Sequence, residues 1–551
     1  MSTATYWQTI DVFRELARAD PQREAVIYPD GTRADGLPDY RSVSYRDLDR
    51  WSDAIAEELI GSGVRSGTRT IVLVLPSPEL YAILFALLKI GAVPVVIDPG
   101  MGVRRMVHCL RAVRAEAFIG IPAAHAVRVL FARSFRHVRT TLTVGRRWFW
   151  RGPTLGSVGR TATRPLPERV PAEPDDVLII GFTTGSTGPA KAVELTHANL
   201  AAMVEQVHAA RGHTAPDTSL VTLPLVGVLD LLLGARCVLP PLIPSKVGST
   251  DPAHVVDAIE RFGVRTLFAS PAVLIPLLEH LCAHPVELPT LGSVFSGGAP
   301  VPAWCVAGLR EVLRPDAQVY AGYGATEALP MSTIESRELL DGLVERAHRG
   351  EGTCIGRPAD RVEVRLLGIT DDPVATWAEA EEPAGPVGEI VVAGPNVSTR
   401  YYWPEQANAA NKIADGDRIW HRTGDLGWVD EQGRIWFCGR KSQRVRTARG
   451  PMFTVQVEQV FNVVAGVSRT ALVGVGTFGA QRPVLCVELA PNADPGATLT
   501  RLRTRAVEFD TVVPITEFLI HPGFPVDIRH NAKIGREELT RWAGKHEDIR
   551  R

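Results

Sequence analysis

The chain has little means of cross-linking itself. Its seven cysteines, among 551 residues, stand apart, with none within four residues of another. An odd and scattered set excludes a disulfide framework or a compact zinc knuckle and fits a reducing compartment. Excess charge is missing too. Sixty basic residues face 61 acidic ones, leaving a net charge of −1 and no global field to recruit nucleic acid. No uninterrupted apolar run is long enough for a bilayer, which needs roughly 20 mostly apolar residues. Leu80 to Ile97 is broken by Lys89 and Pro94, and Leu223 to Ile243 carries Asp230, Arg236 and the pair Pro240-Pro241. Both read as buried elements. Met1 to Thr9 lacks the basic start and apolar stretch of a signal peptide. A cytoplasmic protein is therefore expected. Internal repeats and low-complexity tracts are absent.

What is present belongs to a folded enzyme. Hydrophobic residues make up 45% and charged residues 22%, the balance of a globular chain. The length exceeds what one core serves, so at least two domains are expected. Ser44 caps an amphipathic helix that runs to Leu59. Thr70 to Leu75 and Val93 to Ile97 read as strands on either side of a helix from Pro78 to Ile90. Another helix-to-strand unit spans Val255 to Ala269. This alternation predicts an α/β domain with parallel pairing. From Gly385 the texture changes to short alternating strands such as Gly388 to Ala393. The last 110 or so residues, after Arg440, suffice for a small domain of their own. One stretch is compositionally odd: Arg104 to Arg147 holds ten arginines, three histidines and a single acid, Glu116, and runs into Trp148-Phe149-Trp150-Arg151. Membrane-surface contact and a solvated, salt-bridged surface excursion both fit it.

Three segments carry chemistry. The first, Thr183-Thr184-Gly185-Ser186-Thr187-Gly188-Pro189-Ala190-Lys191, lies between the apolar runs Val177 to Phe182 and Ala192 to Leu195. Small, hydroxylated and glycine residues let backbone N–H groups close on phosphate oxygens, and a lysine adds charge. The spacing is not that of a Walker loop, and a strand rather than a helix is expected after it. A flexible Ser/Gly linker is the alternative. Lysine is rare here, with seven among the 60 basic residues, which favours phosphate binding. The second segment is Tyr320-Ala321-Gly322-Tyr323-Gly324-Ala325-Thr326-Glu327. Its glycines would let the Tyr323 ring lie on a flat base, Thr326 can donate to phosphate, and Glu327 suits Mg²⁺. A plain β-turn with a solvated glutamate fits equally well. The third is His421-Arg422-Thr423-Gly424-Asp425-Leu426-Gly427, followed by Gly439-Arg440, where an acid could accept two ribose hydroxyls, although Thr-Gly-Asp is also a common hairpin turn. Gly474-Val475-Gly476-Thr477-Phe478-Gly479 matches a dinucleotide fingerprint, but Pro483 to Glu488 reads as a strand, so a hairpin turn is expected.

In this order and spacing, together with Gly298-Ala299-Pro300 and the late Asn531-Ala532-Lys533-Ile534-Gly535-Arg536, the set resembles the adenylate-forming superfamily. That superfamily comprises acyl-CoA synthetases, luciferases and nonribosomal adenylation domains, and the resemblance covers nearly the whole chain. It implies an α/β fold in which a large N-terminal domain of α/β subdomains with a small β-barrel-like part (1–440) precedes a small mobile α+β lid (443–551), hinged near Ser442. It also implies ATP and Mg²⁺. Thr183 to Gly188 and Lys191 would face phosphates. Gly298-Ala299-Pro300, with Tyr323 between Gly322 and Gly324, would hold adenine. Thr326 would meet the α-phosphate and Glu327 the magnesium. Asp425 and Arg440 would bind ribose, and Lys533 would reach the substrate carboxylate and the α-phosphate.

Departures from the family pattern narrow the activity. Ser442 replaces an acidic hinge residue. Thr447-Ala448-Arg449 stands where a glycine pair usually lines the thiol tunnel, and Val226-Gly227 replaces an aromatic-His pair. An arginine there would narrow the tunnel, so CoA thioester formation is not the expected outcome. The full pattern is similar to the β-lactone-forming branch that serves bacterial olefin synthesis. This implies a long-chain 2-alkyl-3-hydroxy acid as substrate, whose own hydroxyl closes the ring, and partners in a condensing enzyme, a 3-ketoacid reductase and a lactone decarboxylase. A long-chain acyl-CoA or acyl-AMP ligase, and a nucleotide-binding scaffold without catalysis, are the alternatives.

Overall fold

The computed structural model describes residues 9–164, 166, 172–183, 190–211, 217–242, 248–510, 512, 514–525 and 534–547. Two large sheets dominate the N-terminal part. In the first, the parallel strands Val177–Phe182, Val93–Val96, Arg69–Leu73, Ala117–Gly120 and Thr140–Thr143 lie side by side in that order. Ala192–Thr196 and then Tyr401–Trp403 extend it antiparallel beyond Val177–Phe182. The second has nine strands with a parallel centre, including Thr218–Val221, Thr266–Ala269, Ser293–Ser296 and Gln318–Ala325. Both parallel cores follow from helix–strand alternation with nearly continuous apolar strands.

Local chemistry sets the helix starts. Ser44 caps the helix Tyr45–Gly61 by accepting from the Asp47 amide, and Ser77 caps Pro78–Lys89 in the same way at Leu80. The two apolar stretches that might have suggested membrane spans are buried elements. Lys89, fully buried, ends its helix with Nζ 2.6 Å from both Asp49 and Asp53 of the neighbouring helix. Leu223 onward forms the helix Pro224–Leu232 and the strand Arg236–Val238. Among the described residues, no helix is long and apolar enough to cross a membrane.

Gly227 sits on the helix Pro224–Leu232 because the buried Tyr81 lies against its Cα. A Cβ there would stand 2.1 Å from the Tyr81 hydroxyl oxygen. Gly227→Ala is expected to cost about 1–3 kcal/mol by overpacking. The Tyr81 hydroxyl is buried without a hydrogen-bond partner, so Tyr81→Phe should leave stability equal or higher, and it should relieve only part of the alanine variant's cost, because ring atom Cζ would still stand 2.7 Å from the new Cβ. Urea unfolding of the two single variants and the double variant checks this, and additive losses would show that the two residues do not meet.

The expected barrel-like part is instead an open antiparallel sheet of six strands. Its order runs Thr353–Cys354, Ile435–Arg440, Arg418–Val429, Gly388–Ala393, Glu363–Leu367, with Lys412–Asp415 paired to Arg418–Val429. Its two end strands do not pair with each other, so the sheet never closes. The C-terminal domain has cores of its own, built from residues such as Val460, Leu472, Leu485 and Leu539. Its strands Val467–Val475, Arg482–Leu489 and Glu517–Ile520 form one sheet against the helices Thr454–Phe461 and Arg536–Glu547. Gly474 to Gly479 falls in the hairpin between antiparallel strands, as expected, and no helix follows it.

Candidate active site

The motifs meet where parallel strands end, the usual place for a ligand in such sheets. Gly298-Ala299-Pro300 follows the strand Ser293–Ser296, and Gly298 adopts φ +85°. Its neighbour Gln318–Ala325 turns through Thr326-Glu327 into Ala328–Glu335, so these two residues are the tip of a hairpin. Backbone crowding selects the glycine after Tyr323. A Cβ on Gly324 would lie 2.9 Å from the Ala328 carbonyl oxygen, whereas one on Gly322 would make an ordinary 3.5 Å contact with that of Ser296. Thr326 packs its methyl toward Gly181, at 3.2 Å from where a Cβ would stand.

Tyr323, Asp425 and Arg440 form one unit. The Tyr323 hydroxyl donates to Asp425 Oδ2 at 2.6 Å. Asp425 and Arg440 are register partners on adjacent strands, with an Arg440 nitrogen 2.8 Å from Oδ1. That contact lacks hydrogen-bond alignment, so the buried Oδ1 keeps unfilled acceptor capacity. Burial raises the Asp425 pKa against the pull of Arg440, and the Asp425 charge raises that of Arg440. Burial, with Asp425 adding to it, holds the Tyr323 phenol firmly protonated.

A second cluster surrounds Glu327. This carboxylate is buried and accepts from the Tyr401 hydroxyl at 2.7 Å. Lys191 Nζ donates to Asn411 Oδ1 at 3.3 Å and lies 5.1 Å from the centre of the Tyr401 ring. Lys412 Nζ lies 5.0 Å from the same ring and donates to the Ser398 carbonyl. His421 borders the ring and contacts the Asn411 carbonyl oxygen at 3.3 Å. Burial lowers the Lys191 pKa, with Glu327 opposing. Burial carries Lys412 down to about 7, with Glu327 opposing and Lys191 adding. His421 is held neutral by burial and by these two lysines.

Tyr401, Asn411 and Lys412 lie outside the motifs, and His421 opens the third without a role assigned to it. Lysine scarcity, which singles out Lys191, would have flagged Lys412 equally well. Because the unfolded chain keeps the Lys412 proton to ordinary lysine pH while the folded chain sheds it near 7, stability should rise between about pH 7 and about pH 10. Lys412→Met should flatten that rise. Urea midpoints across this range test it, and an unchanged slope in the variant would discharge Lys412.

The first loop is pinned at its base. Thr183 N donates to the Lys191 carbonyl at 2.9 Å, and Lys191 N donates to Thr183 Oγ1 at 3.0 Å. A strand follows it, as expected. Thr184, Gly185, Ser186, Thr187, Gly188 and Lys533 lie outside the described residues. The frame after Lys533 is anchored: Arg536 donates to Gln443 Oε1 at 3.1 Å and to Glu458 Oε2 at 2.8 Å. Ser442 is exposed in a single 3₁₀ turn, Lys441–Gln443. Ala448 and Arg449 are exposed at the tip of the hairpin Val445–Thr447/Gly450–Met452.

With Tyr323, Asp425 and Arg440 joined in one unit and Glu327 flanked by two lysines, the chain belongs to the family of AMP-binding enzymes, whose model matches residues 13–402. Within that family, it is 46% identical over 538 residues to an olefin β-lactone synthetase of Stenotrophomonas maltophilia (strain K279a), covering 96% of each chain. It is 43% identical over 540 residues to an olefin β-lactone synthetase of Xanthomonas campestris pv. campestris, again covering 96% of each. Among solved structures, the O-succinylbenzoate coenzyme A synthetase of Bacillus subtilis in complex with ATP and magnesium ion shares the fold, with a TM-score of 0.73 at 21% identity, covering 96% of this chain and 98% of that one.

Proposed function

We propose that the chain is an ATP-dependent, AMP-forming β-lactone synthetase acting on a long-chain 2-alkyl-3-hydroxy acid. The observation that carries this is the 46% identity to an olefin β-lactone synthetase over 96% of both chains. In the first half-reaction a carboxylate oxygen bonds to the α-phosphorus of ATP and pyrophosphate leaves. In the second, the substrate's 3-hydroxyl oxygen bonds to the acyl carbon, gives up its proton, and AMP leaves with the former carboxylate oxygen. Tethering makes the second attack effectively unimolecular, which favours it over water.

The residues divide this work. Asp425 Oδ1, buried with open acceptor capacity, suits a ribose hydroxyl, and Arg440 opposes the rise that burial gives the pKa of that carboxylate. Tyr323, steadied through its hydroxyl, would offer its ring to adenine beside Gly298-Ala299-Pro300. Thr326 would donate to the α-phosphate, while Lys191 and the loop from Thr183 to Gly188 would meet the outer phosphates. Glu327 suits Mg²⁺, a hard ion held through one carboxylate together with substrate phosphates and water. When bound, that ion would offset the repulsion between two anions. Lys533 would bring its charge to the carboxylate and α-phosphate from the C-terminal domain, which we bound at 443–551 against 1–440, with the hinge near Ser442. A condensing enzyme, a 3-ketoacid reductase and a lactone decarboxylase would be its partners.

Mass spectrometry of a reaction containing ATP, Mg²⁺ and the hydroxy acid, with and without CoA, tests this reading. The expected product is lighter than the acid by one water, forms without CoA and accompanies AMP, with its ring confirmed by infrared or NMR spectroscopy. A CoA thioester, formed equally well from acids lacking the hydroxyl, would instead make the chain an acyl-CoA ligase.

A further inference from the structure

The arginine-rich stretch supplies no residue to the site, though its first helix meets the strand that carries Tyr401 through the Tyr402 hydroxyl and the Val113 carbonyl, and its charges are not offset by salt bridges. From 104 to 151 there are eleven arginines and one acid, Glu116. That acid is already taken by Arg69 at 2.9 Å. Among the described residues, none of the eleven forms an ion pair, and all but Arg128 are exposed. Elsewhere in the chain arginines find carboxylates routinely, as Arg444 does at Asp371 and Arg422 at Glu389.

These charges share one side of the molecule. The strands Val93–Val96, Arg69–Leu73, Ala117–Gly120 and Thr140–Thr143 are adjacent in that order. Right-handed crossovers then put the helices Val103–Val113 and Pro122–Leu130 on the same face of the sheet. Their inward residues, Met106 and Leu110 from one and Ala124 from the other, accordingly share one core. Their outward surfaces and the chain after Thr140–Thr143 therefore form a continuous basic layer.

Apolar side chains stand out of that layer on a rigid mount. Trp150 is buried, donates its indole N–H to Thr143 Oγ1 at 2.9 Å, and stacks on His125 at 5.1 Å. Trp148 and Phe149 rest on Trp150 at 5.6 and 5.3 Å, yet remain 55% and 73% exposed. Leu130, at the end of its helix, is 78% exposed. A protein interface would centre such residues in a charge-depleted core. Here they are isolated knobs flanked by arginines, the composition of a headgroup layer. Indole and phenyl rings settle at headgroup depth, and the guanidinium fork matches a phosphodiester better than an ammonium does.

We propose that this face docks on an anionic lipid bilayer, with Trp148 and Phe149 entering the interface and the surrounding arginines binding lipid phosphates. The inference stands on this surface alone and does not depend on the reaction assigned above. The test is sedimentation of the full chain with vesicles of phosphatidylcholine alone, and of phosphatidylcholine with an equal part of phosphatidylglycerol. Binding to the mixed vesicles should be at least about tenfold tighter and should weaken with salt. The variant W148A/F149A should lose about tenfold or more of that binding with an unchanged melting curve, since both side chains are exposed. R146A/R147A should bind more weakly and with a shallower salt dependence. No sedimentation with either vesicle, indifference to phosphatidylglycerol, or full binding by W148A/F149A would each overturn the proposal. So would a gel-filtration shift in that variant from oligomer to monomer without vesicle binding, which would assign the patch to a second copy of the chain.

Discussion

Glu389→Ala is expected to remove about 3–5 kcal/mol of folding free energy, because it strands buried charge. Glu389 Oε2 accepts from Arg422 Nε at 3.1 Å and Nη2 at 2.6 Å, and from Lys441 Nζ at 2.8 Å. The Arg422 and Glu389 side chains are only 2% and 1% exposed. The remaining Arg422 donors reach the Thr370 and Asp372 carbonyls at 2.8 Å, so the guanidinium cannot swing out to water without breaking those bonds too. Urea unfolding measures the loss, and a cost below about 1 kcal/mol would show that solvent reaches the stranded cations. Replacing a whole buried pair by apolar residues is far gentler than removing one partner. Arg422→Met together with Glu389→Leu should therefore lose less than Glu389→Ala alone. Glu389 also fixes Lys441, so the same substitution loosens the turn Lys441–Gln443, where we propose the hinge.

Lys533→Ala should slow adenylate formation by about 10²–10³-fold while leaving ATP affinity nearly unchanged, the usual signature of losing a charge aimed at the transition state. Two anions, a carboxylate and a phosphate, must meet at the α-phosphorus, and a cation placed at their meeting point favours the transition state more than the bound nucleotide. The support for Lys533 in that role is its motif frame and the anchoring of Arg536, three residues on, to Glu458 and Gln443 beside the interdomain turn. Pyrophosphate release checks the rate, and nucleotide titration checks the affinity. A variant that releases pyrophosphate at the unaltered rate would remove Lys533 from the mechanism.

Much of the molecule was legible because local rules and the tertiary solution agree. Ser44 and Ser77 announce helices by capping chemistry. Val93–Val96 and its neighbours announce parallel strands by apolar runs set between helices, and Pro483 to Glu488 excludes a dinucleotide fingerprint by reading as a strand. The family motifs name Asp425 and Arg440 as ribose-binding residues, and a strand register, which the motifs do not state, pairs the two. The barrel-like part was misjudged, since short alternating strands specify a sheet but not whether its edges find each other. Tyr401, Lys412 and His421 were passed over for a related reason. Each is unremarkable among its chain neighbours and gains meaning only when the edge strand Tyr401–Trp403 brings Tyr401 to Glu327.

What the sequence by itself determined is the alternation of elements, the order of the nucleotide motifs and, among the described residues, the absence of disulfides and of helices long and apolar enough to cross a membrane. Periodicity, capping and turn chemistry act over a few residues, so they are written in the chain. Only the tertiary structure decided which charges are paired. It buried Arg422 and Lys89 against carboxylates, crowded two lysines around Tyr401 and, among the described residues, left the arginines from 104 to 151 without carboxylate partners and all but Arg128 exposed. Coulomb interactions depend on distance in space and on burial, and neither can be read from positions along a chain.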